Sequence, residues 1–271
     1  MCEIGKKFTD IQYYNKEMQK GMEDKLFFLN KLPKNTDYIF VDFGCADGSM
    51  INALSSILEG HHHNIYVGYD ISETMIELAK TNYHGPTNAE IIFTNDWKDV
   101  ERNIQRIYCR KSVLILSSVI HEVYSYAKDG HDIETFWNRV LNAGFDYIVI
   151  RDMCPTEDID RKSNIHLVEE IKDKADSTLL NEFENVWGNI WNNKNMIHFL
   201  LKYRWKVNWK RECHENYFPI SIQKLLEYFN NFNIDYFERF RVPFLEKCWK
   251  EDFGIEINDY THIKAIFTKK L

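Results

Sequence analysis

The chain has 271 residues, of which 44% are hydrophobic, 15% aromatic and 28% charged, with 11 Gly and 5 Pro. That balance supports a sizeable core and excludes disordered, collagen-like and low-complexity classes. A net charge of −7 speaks against a general duplex-DNA binder, and no segment approaches the roughly 18 apolar residues of a membrane span.

MCEIGKKFTD carries no apolar core of a secretory signal. The six cysteines (Cys2, Cys45, Cys109, Cys154, Cys213, Cys248) are scattered without a CxxC pair, which fits reduced thiols in a cytoplasmic protein and no structural zinc. Residues 9–32 read as a helix, with Ile11, Tyr14, Met18, Met22, Phe27 and Leu29 near helical spacing until Pro33. Tyr38 to Val41 is a buried-strand pattern ending at Asp42. A Gly-containing turn follows, and then a helix from Met50 to Leu58. The cycle repeats: a strand to Asp70, a helix that Ser72 would cap, and strands at 90–93, 112–116 and 146–150, with helices near 99–107 and 131–143. Strands alternating with helices imply a parallel sheet covered on both faces. After Pro155 the rhythm changes: residues 156–231 read as helices and loops. Strands near 234–242 and 261–268, joined by Pro243 to Tyr260, close the chain.

The most informative segment is Asp42-Phe43-Gly44-Cys45-Ala46-Asp47-Gly48, between a strand and a helix. Glycines there permit a sharp turn and close backbone approach, and the helix start presents N–H groups to a ligand. A dinucleotide site wants G-x-G-x-x-G, and Ala46 and Ser49 stand where its later glycines belong. A nicotinamide-dependent oxidoreductase is therefore disfavoured. The spacing Asp42, Gly44, Ala46, Gly48 instead resembles the first motif of class I S-adenosylmethionine-dependent methyltransferases, acidic-x-Gly-x-Gly-x-Gly, with Ala46 at the middle glycine.

That resemblance covers residues 37–151 well and the last two strands loosely. It implies a cofactor, S-adenosylmethionine, and leaves the methyl acceptor open. Asp42, Gly44, Cys45, Ala46, Asp47 and Gly48 would hold the cofactor. Asp70 would accept from both ribose hydroxyls, one carboxylate taking two O–H donors; otherwise it merely caps the next helix. Ile71 and Met75 would lie against the adenine, with Asn95, Asp96 and Trp97 at its edge. Ser117 and Ser118 would face the methionine part. Tyr14, on the N-terminal helix, would reach the cofactor or else pack on the sheet.

His121, just beyond the fourth strand, faces the acceptor pocket in this reading and would take a proton as the methyl transfers; otherwise it packs or orients substrate. Arg151 and Asp152 end the fifth strand, either contacting the acceptor or tied to each other. His61-His62-His63 lies at the far end of the strands and is not taken as a metal site. Lys202 to Arg211 interleaves five cations with three aromatics. That is the composition of an RNA-gripping strip or of an amphipathic helix. The turn from Glu212 to Pro219 would offer further acceptor-binding groups.

The expected fold is α/β: a Rossmann-like, seven-stranded, mostly parallel sheet between helices, with only the last strand antiparallel, inserted beside the fifth. Residues 1–36 would form a helical cover, 37–154 the cofactor-binding core, 155–231 a helical lid and 232–271 the last two strands. The expected function is methyl transfer to O or N of a small-molecule acceptor. RNA as acceptor is the alternative within the class, and a non-catalytic cofactor-binding partner subunit the alternative outside it.

Overall fold

In a computed structural model, which describes residues 21–60, 63–105 and 110–270, the sheet is built around β1 (Asp37–Phe43), whose residues from Tyr38 onward are all buried. Ile39, Val41 and Phe43 face Trp97, Val100, Phe136 and Trp137. Tyr38 and Phe40 face Phe28, Met50, Ile51 and Leu54 on the other side. A strand apolar on both faces belongs in the middle of a parallel sheet covered twice, and each such side chain contributes about 1.5–3 kcal/mol through burial.

The other strands are β2 (Ile65–Tyr69), β3 (Glu90–Thr94), β4 (Arg110–Ser117), β5 (Tyr147–Met153), β6 (Phe232–Phe240) and β7 (His262–Lys269). Their order is β3-β2-β1-β4-β5-β7-β6. β1 to β5 pair in parallel, while β7 runs antiparallel between β5 and β6. This is the expected seven-stranded architecture. The order reverses between β1 and β4, and such a reversal opens a crevice at the carboxyl ends of the strands.

The N-terminal helix departs from expectation. Residues 9–20, with Tyr14, lie outside the described residues. Within 21–32, α1 (Met22–Lys25) stops at Leu26, and Phe27–Asn30 form a 3-10 turn. Fully burying Phe28 against Phe40 sets that path. Helices α2 (Ser49–Ile57), α3 (Glu73–Asn82) and α4 (Trp97–Gln105) follow the first three strands. Ser72 caps α3 as expected, its Oγ accepting from the Met75 N–H at 3.4 Å. Helices α5 (Ile120–Tyr126) and α6 (Gly130–Asn142) connect β4 to β5.

Between β5 and β6 lie α7 (Ile165–Lys174), α8 (Ser177–Trp187), α9 (Asn193–Tyr203), α10 (Trp209–Glu212) and α11 (Ile222–Tyr228). The first four share a core in which Val168, Ile171, Phe183, Met196 and Phe199 meet Trp249 and Phe253. These last two belong to α12 (Pro243–Phe253), opened by Pro243 and closed by a left-handed Gly254. The expected joint between the last strands is therefore a helix that serves the inserted helices' core, tied by the Trp249 indole to the Leu200 carbonyl at 3.1 Å. Among the described residues no helix is long and apolar enough to cross a membrane.

Candidate active site

The turn after β1 is left-handed at three alternate residues: Gly44 (φ +78°), Ala46 (φ +44°) and Gly48 (φ +76°). A Cβ on Gly44 would stand 2.7 Å from Val119 Cγ2, so the close approach of the loop after β4 requires glycine. Ala46 keeps the turn at a cost of about 1–2 kcal/mol for its left-handed backbone. Its N–H donates to Asp70 Oδ2 at 3.0 Å, and the Ser72 N–H donates to Oδ1 at 2.8 Å. Asp70 thus ties the turn to β2. A carboxylate offers about four acceptor positions, so two remain. Burial outweighs these two bonds and raises the Asp70 carboxyl above its ordinary value. Beside it Ile71 is 85% exposed, an apolar side chain with an open face.

Asp42 forms the floor. It is buried, and no described residue hydrogen-bonds its carboxylate. Burial, reinforced by Asp70 and Asp47 and opposed by Lys25, pushes it up to about 7. At the end of β4, Ser117 Oγ is the one buried side-chain polar atom among the described residues without a partner. Ser118 is left-handed (φ +57°). Its N–H donates to the Arg151 carbonyl at 2.8 Å, and its Oγ accepts from Arg151 Nη1 at 3.2 Å. Cys45 is buried, which pushes its thiol up. Asp47 and Met75 are half-buried. Asn95 and Asp96 are exposed at the end of β3, where Asp96 accepts from the Lys98 N–H at 2.9 Å and starts α4. Trp97 lies elsewhere: its ring packs against Phe43, Tyr69 and Phe145 in the core.

Arg151 and Asp152 do not pair with each other, because neighbours on a strand point to opposite faces. Arg151 pairs with Asp24, its Nε 2.7 Å from Oδ2, and Lys264 joins the same carboxylate. Asp152 faces His121: Oδ1 lies 2.8 Å from Nδ1, and Oδ2 accepts from the Ile120 N–H at 2.7 Å. Burial would lift Asp152, but His121 and these donors hold it below the usual carboxylate range. Burial would lower His121, and Asp152 outweighs it and raises the imidazole. His262 on β7 is buried nearby and pushed down to about 3 by burial and Arg151.

The segment after α9 closes over this dyad. Tyr217 meets the His121 ring edge-on, centroids 5.4 Å apart. Arg211 reaches Glu122 at 2.9 Å and Glu215 at 2.6 Å, and the Asn216 N–H donates to Ser125 Oγ at 2.7 Å. Lys202 is fully buried, donates to the Glu212 and Glu215 carbonyls, and lies 3.9 Å above the Tyr217 ring. Burial lowers it to about 8. The cations of the 202–211 strip therefore do not form one face. Lys202 is internal, Arg204 pairs with Asp252, Arg211 with Glu122, and Lys206 and Lys210 stand exposed without an acidic partner among the described residues. Sequence reasoning missed Asp24, Lys25 and His262. The groups that Asp24 and His262 face lie more than a hundred residues away, and no local pattern marks Lys25.

No protein-family model and no curated protein matches the chain. Among solved structures, the pyocyanin biosynthetic protein PhzM superposes with a TM-score of 0.50 at 11% identity, over 98% of this chain and 63% of its own. The two share a Rossmann-like α/β fold. The cyclopropane synthase MmaA2 from Mycobacterium tuberculosis gives 0.48 at 10% identity, over 97% of this chain and 87% of its own. A chain from the complex of the Haloferax volcanii Trm112 methyltransferase activator and a putative methyltransferase gives 0.46 at 10% identity, over 95% and 96%. At such identities the likeness concerns the fold.

Proposed function

We propose that this chain transfers a methyl group from S-adenosylmethionine to an oxygen or nitrogen of a small-molecule acceptor. The observation that carries the reading is the left-handed 44–48 turn, tied to Asp70 where the strand order reverses. The residues fit the cofactor. Asp70 has two acceptor positions left for ribose hydroxyls. Ile71 and Met75 offer apolar surface for the adenine, and Asn95 and Asp96 offer polar groups at its edge. Ser117 Oγ, buried without a partner, supplies a hydrogen-bonding group for the amino-acid end. When bound, the cofactor supplies an electrophilic methyl on a sulfonium.

The chain's own task is then to align the acceptor, exclude water and remove a proton. His121 is the group for the proton. Asp152 engages Nδ1 and fixes the ring, which leaves Nε2 for the acceptor. His121 accepts a proton only above its raised pKa. Asp152 is a positioning residue, and Arg151, bound to Asp24 and Ser118, orders the loop after β4. Residues 155–231 serve as the acceptor-side cover and residues 1–36 as the cofactor-side cover. A small acceptor is favoured because the 211–217 turn leaves His121 only 6% exposed and the basic strip is split between faces.

The test is incubation of the full chain with methyl-tritiated S-adenosylmethionine and either a low-mass metabolite fraction or total RNA. Label should enter the low-mass fraction and be lost in His121→Ala. Label entering RNA alone would contradict the acceptor class.

A further inference from the structure

Helix α9 carries His198 and Lys202 four residues apart, on one face, and both reach the 212–217 turn. The Lys202 ammonium is fully buried and has three N–H donors. It donates to the Glu212 and Glu215 carbonyls, and the Tyr217 ring lies 3.9 Å away. Among the described residues no carboxylate pairs with it. His198 supplies the opposite polarity. Burial and the Lys202 charge keep its ring neutral, and Nε2 accepts from the Tyr217 N–H at 3.2 Å. The Glu215 carbonyl is equally near that nitrogen and takes its hydrogen bond from Lys202. A donor and an acceptor on one helix face thus match the backbone of the turn.

The turn carries this order to His121. Tyr217 is held at its ring by Lys202 and at its hydroxyl by Glu212. It meets the His121 ring edge-on, centroids 5.4 Å apart. Beside it the Asn216 N–H donates to Ser125 Oγ, which donates to the His121 carbonyl at 2.6 Å. A methionine would fill the place of Lys202 without the cost of burying a charge. What the ammonium adds is therefore the direction of two carbonyls and one ring. We propose that Lys202 is a positioning residue of the acceptor site: from the inserted helices it sets Tyr217 as the wall against His121, with His198 as its counterpart. Its part in methyl transfer rests on the S-adenosylmethionine reading; the placing of Tyr217 does not.

The experiment is modification of histidines by diethyl pyrocarbonate at one fixed pH, mapped by peptide mass spectrometry. It compares the full chain as wild type, Lys202→Met, His198→Phe and Tyr217→Ala. His166, with its side chain 85% exposed, is the open reference, and His262, buried on β7, the closed one. In wild type His121 should react far more slowly than His166. Tyr217→Ala should raise the His121 rate by about tenfold or more, and Lys202→Met should reach most of that rise, as for a lost hydrogen bond from a charged group. His262 should stay protected throughout. Thermal melts establish that each variant is folded; if Lys202→Met is not, His198→Phe decides, with a smaller rise expected. An unchanged His121 rate in Lys202→Met or Tyr217→Ala overturns the proposal, and so does a rise that His262 shares, which would mean general loosening. Lys202→Met should also bind S-adenosylhomocysteine as wild type does, yet lose about tenfold in tritium transfer to the low-mass fraction; full transfer overturns the proposal. A wild type that binds no S-adenosylhomocysteine overturns the cofactor reading and leaves the histidine rates to decide on Lys202.

Discussion

Asp42 and Asp152 make a natural pair. Each is a buried aspartate near the carboxyl end of a parallel strand, and they stand on opposite sides of β4. Yet burial pushes Asp42 up to about 7, while Asp152 is held below the usual carboxylate range. The difference lies in donors. Asp152 has His121 and the backbone N–H groups of Ile120 and Met153. Asp42 has no hydrogen bond from a described residue, only the nearby charge of Lys25 opposing burial. On the satisfied side Asp152 serves to hold the His121 ring, and the side with spare capacity is where the cofactor is due. The same contrast extends outward. Around Asp152 the Arg211, Glu215 and Lys202 contacts close on themselves, whereas around Asp42 Ser117 Oγ lacks a partner among the described residues.

The largest effect should come from breaking the satisfied side. Asp152→Ala leaves the buried His121 ring and the N–H groups of Ile120 and Met153 without their acceptor and should cost about 3–5 kcal/mol in urea denaturation. A loss below 1 kcal/mol would mean that Asp152 does not hold the His121 ring. Next is the pH dependence of Asp42. Its folded value of about 7 lies above the ordinary 3.8, so the folded state holds more protons between these values, and stability falls as pH rises through that window. The raised His121 adds in the same direction: its contribution is full below 6.5 and lost as pH climbs past its raised value. Asp42→Asn should flatten the fall between about pH 4 and 7 and be more stable at pH 8 by roughly 4 kcal/mol at most. An unchanged pH profile would contradict the assignment.

Gly44→Ala places a methyl against Val119 on a left-handed backbone and should lose about 1–3 kcal/mol. Its thermal melt should recover in part when paired with Val119→Ala, and no recovery would place the strain in the backbone alone. Smallest is Lys206→Ala with Lys210→Ala, two exposed cations whose removal should change stability by less than about 0.5 kcal/mol. No salt-dependent RNA shift should be seen with or without them; one that they abolish would restore the strip reading.

Much of the fold was legible because β1, β2, β4 and β5 are apolar on both faces, and the Asp42-to-Gly48 turn and Asp70 carry local signals. What was not legible depends on phase and distance. The 202–211 strip reads as one surface, but the end of α9 buries Lys202 while the following turn exposes Lys206. Arg151 beside Asp152 suggests a tie that strand alternation forbids, and the partner it takes instead, Asp24, lies 127 residues away. Trp97 sits at a strand end where a ring would cover a ligand, yet the aromatic core takes it. The helical nature of Pro243 to Phe253 is marked by its proline and by Gly254, but its role depends on a core formed by α7 to α9.

The central claim is that the crevice between β1, β2 and β4 takes S-adenosylmethionine. Calorimetric titration of wild type and Asp70→Ala with S-adenosylmethionine, S-adenosylhomocysteine and NAD tests it most directly. The account predicts micromolar binding of both sulfur compounds to wild type, at least about a tenfold loss in Asp70→Ala and none for NAD. Absence of both sulfur compounds from wild type, or binding indifferent to Asp70, would contradict it.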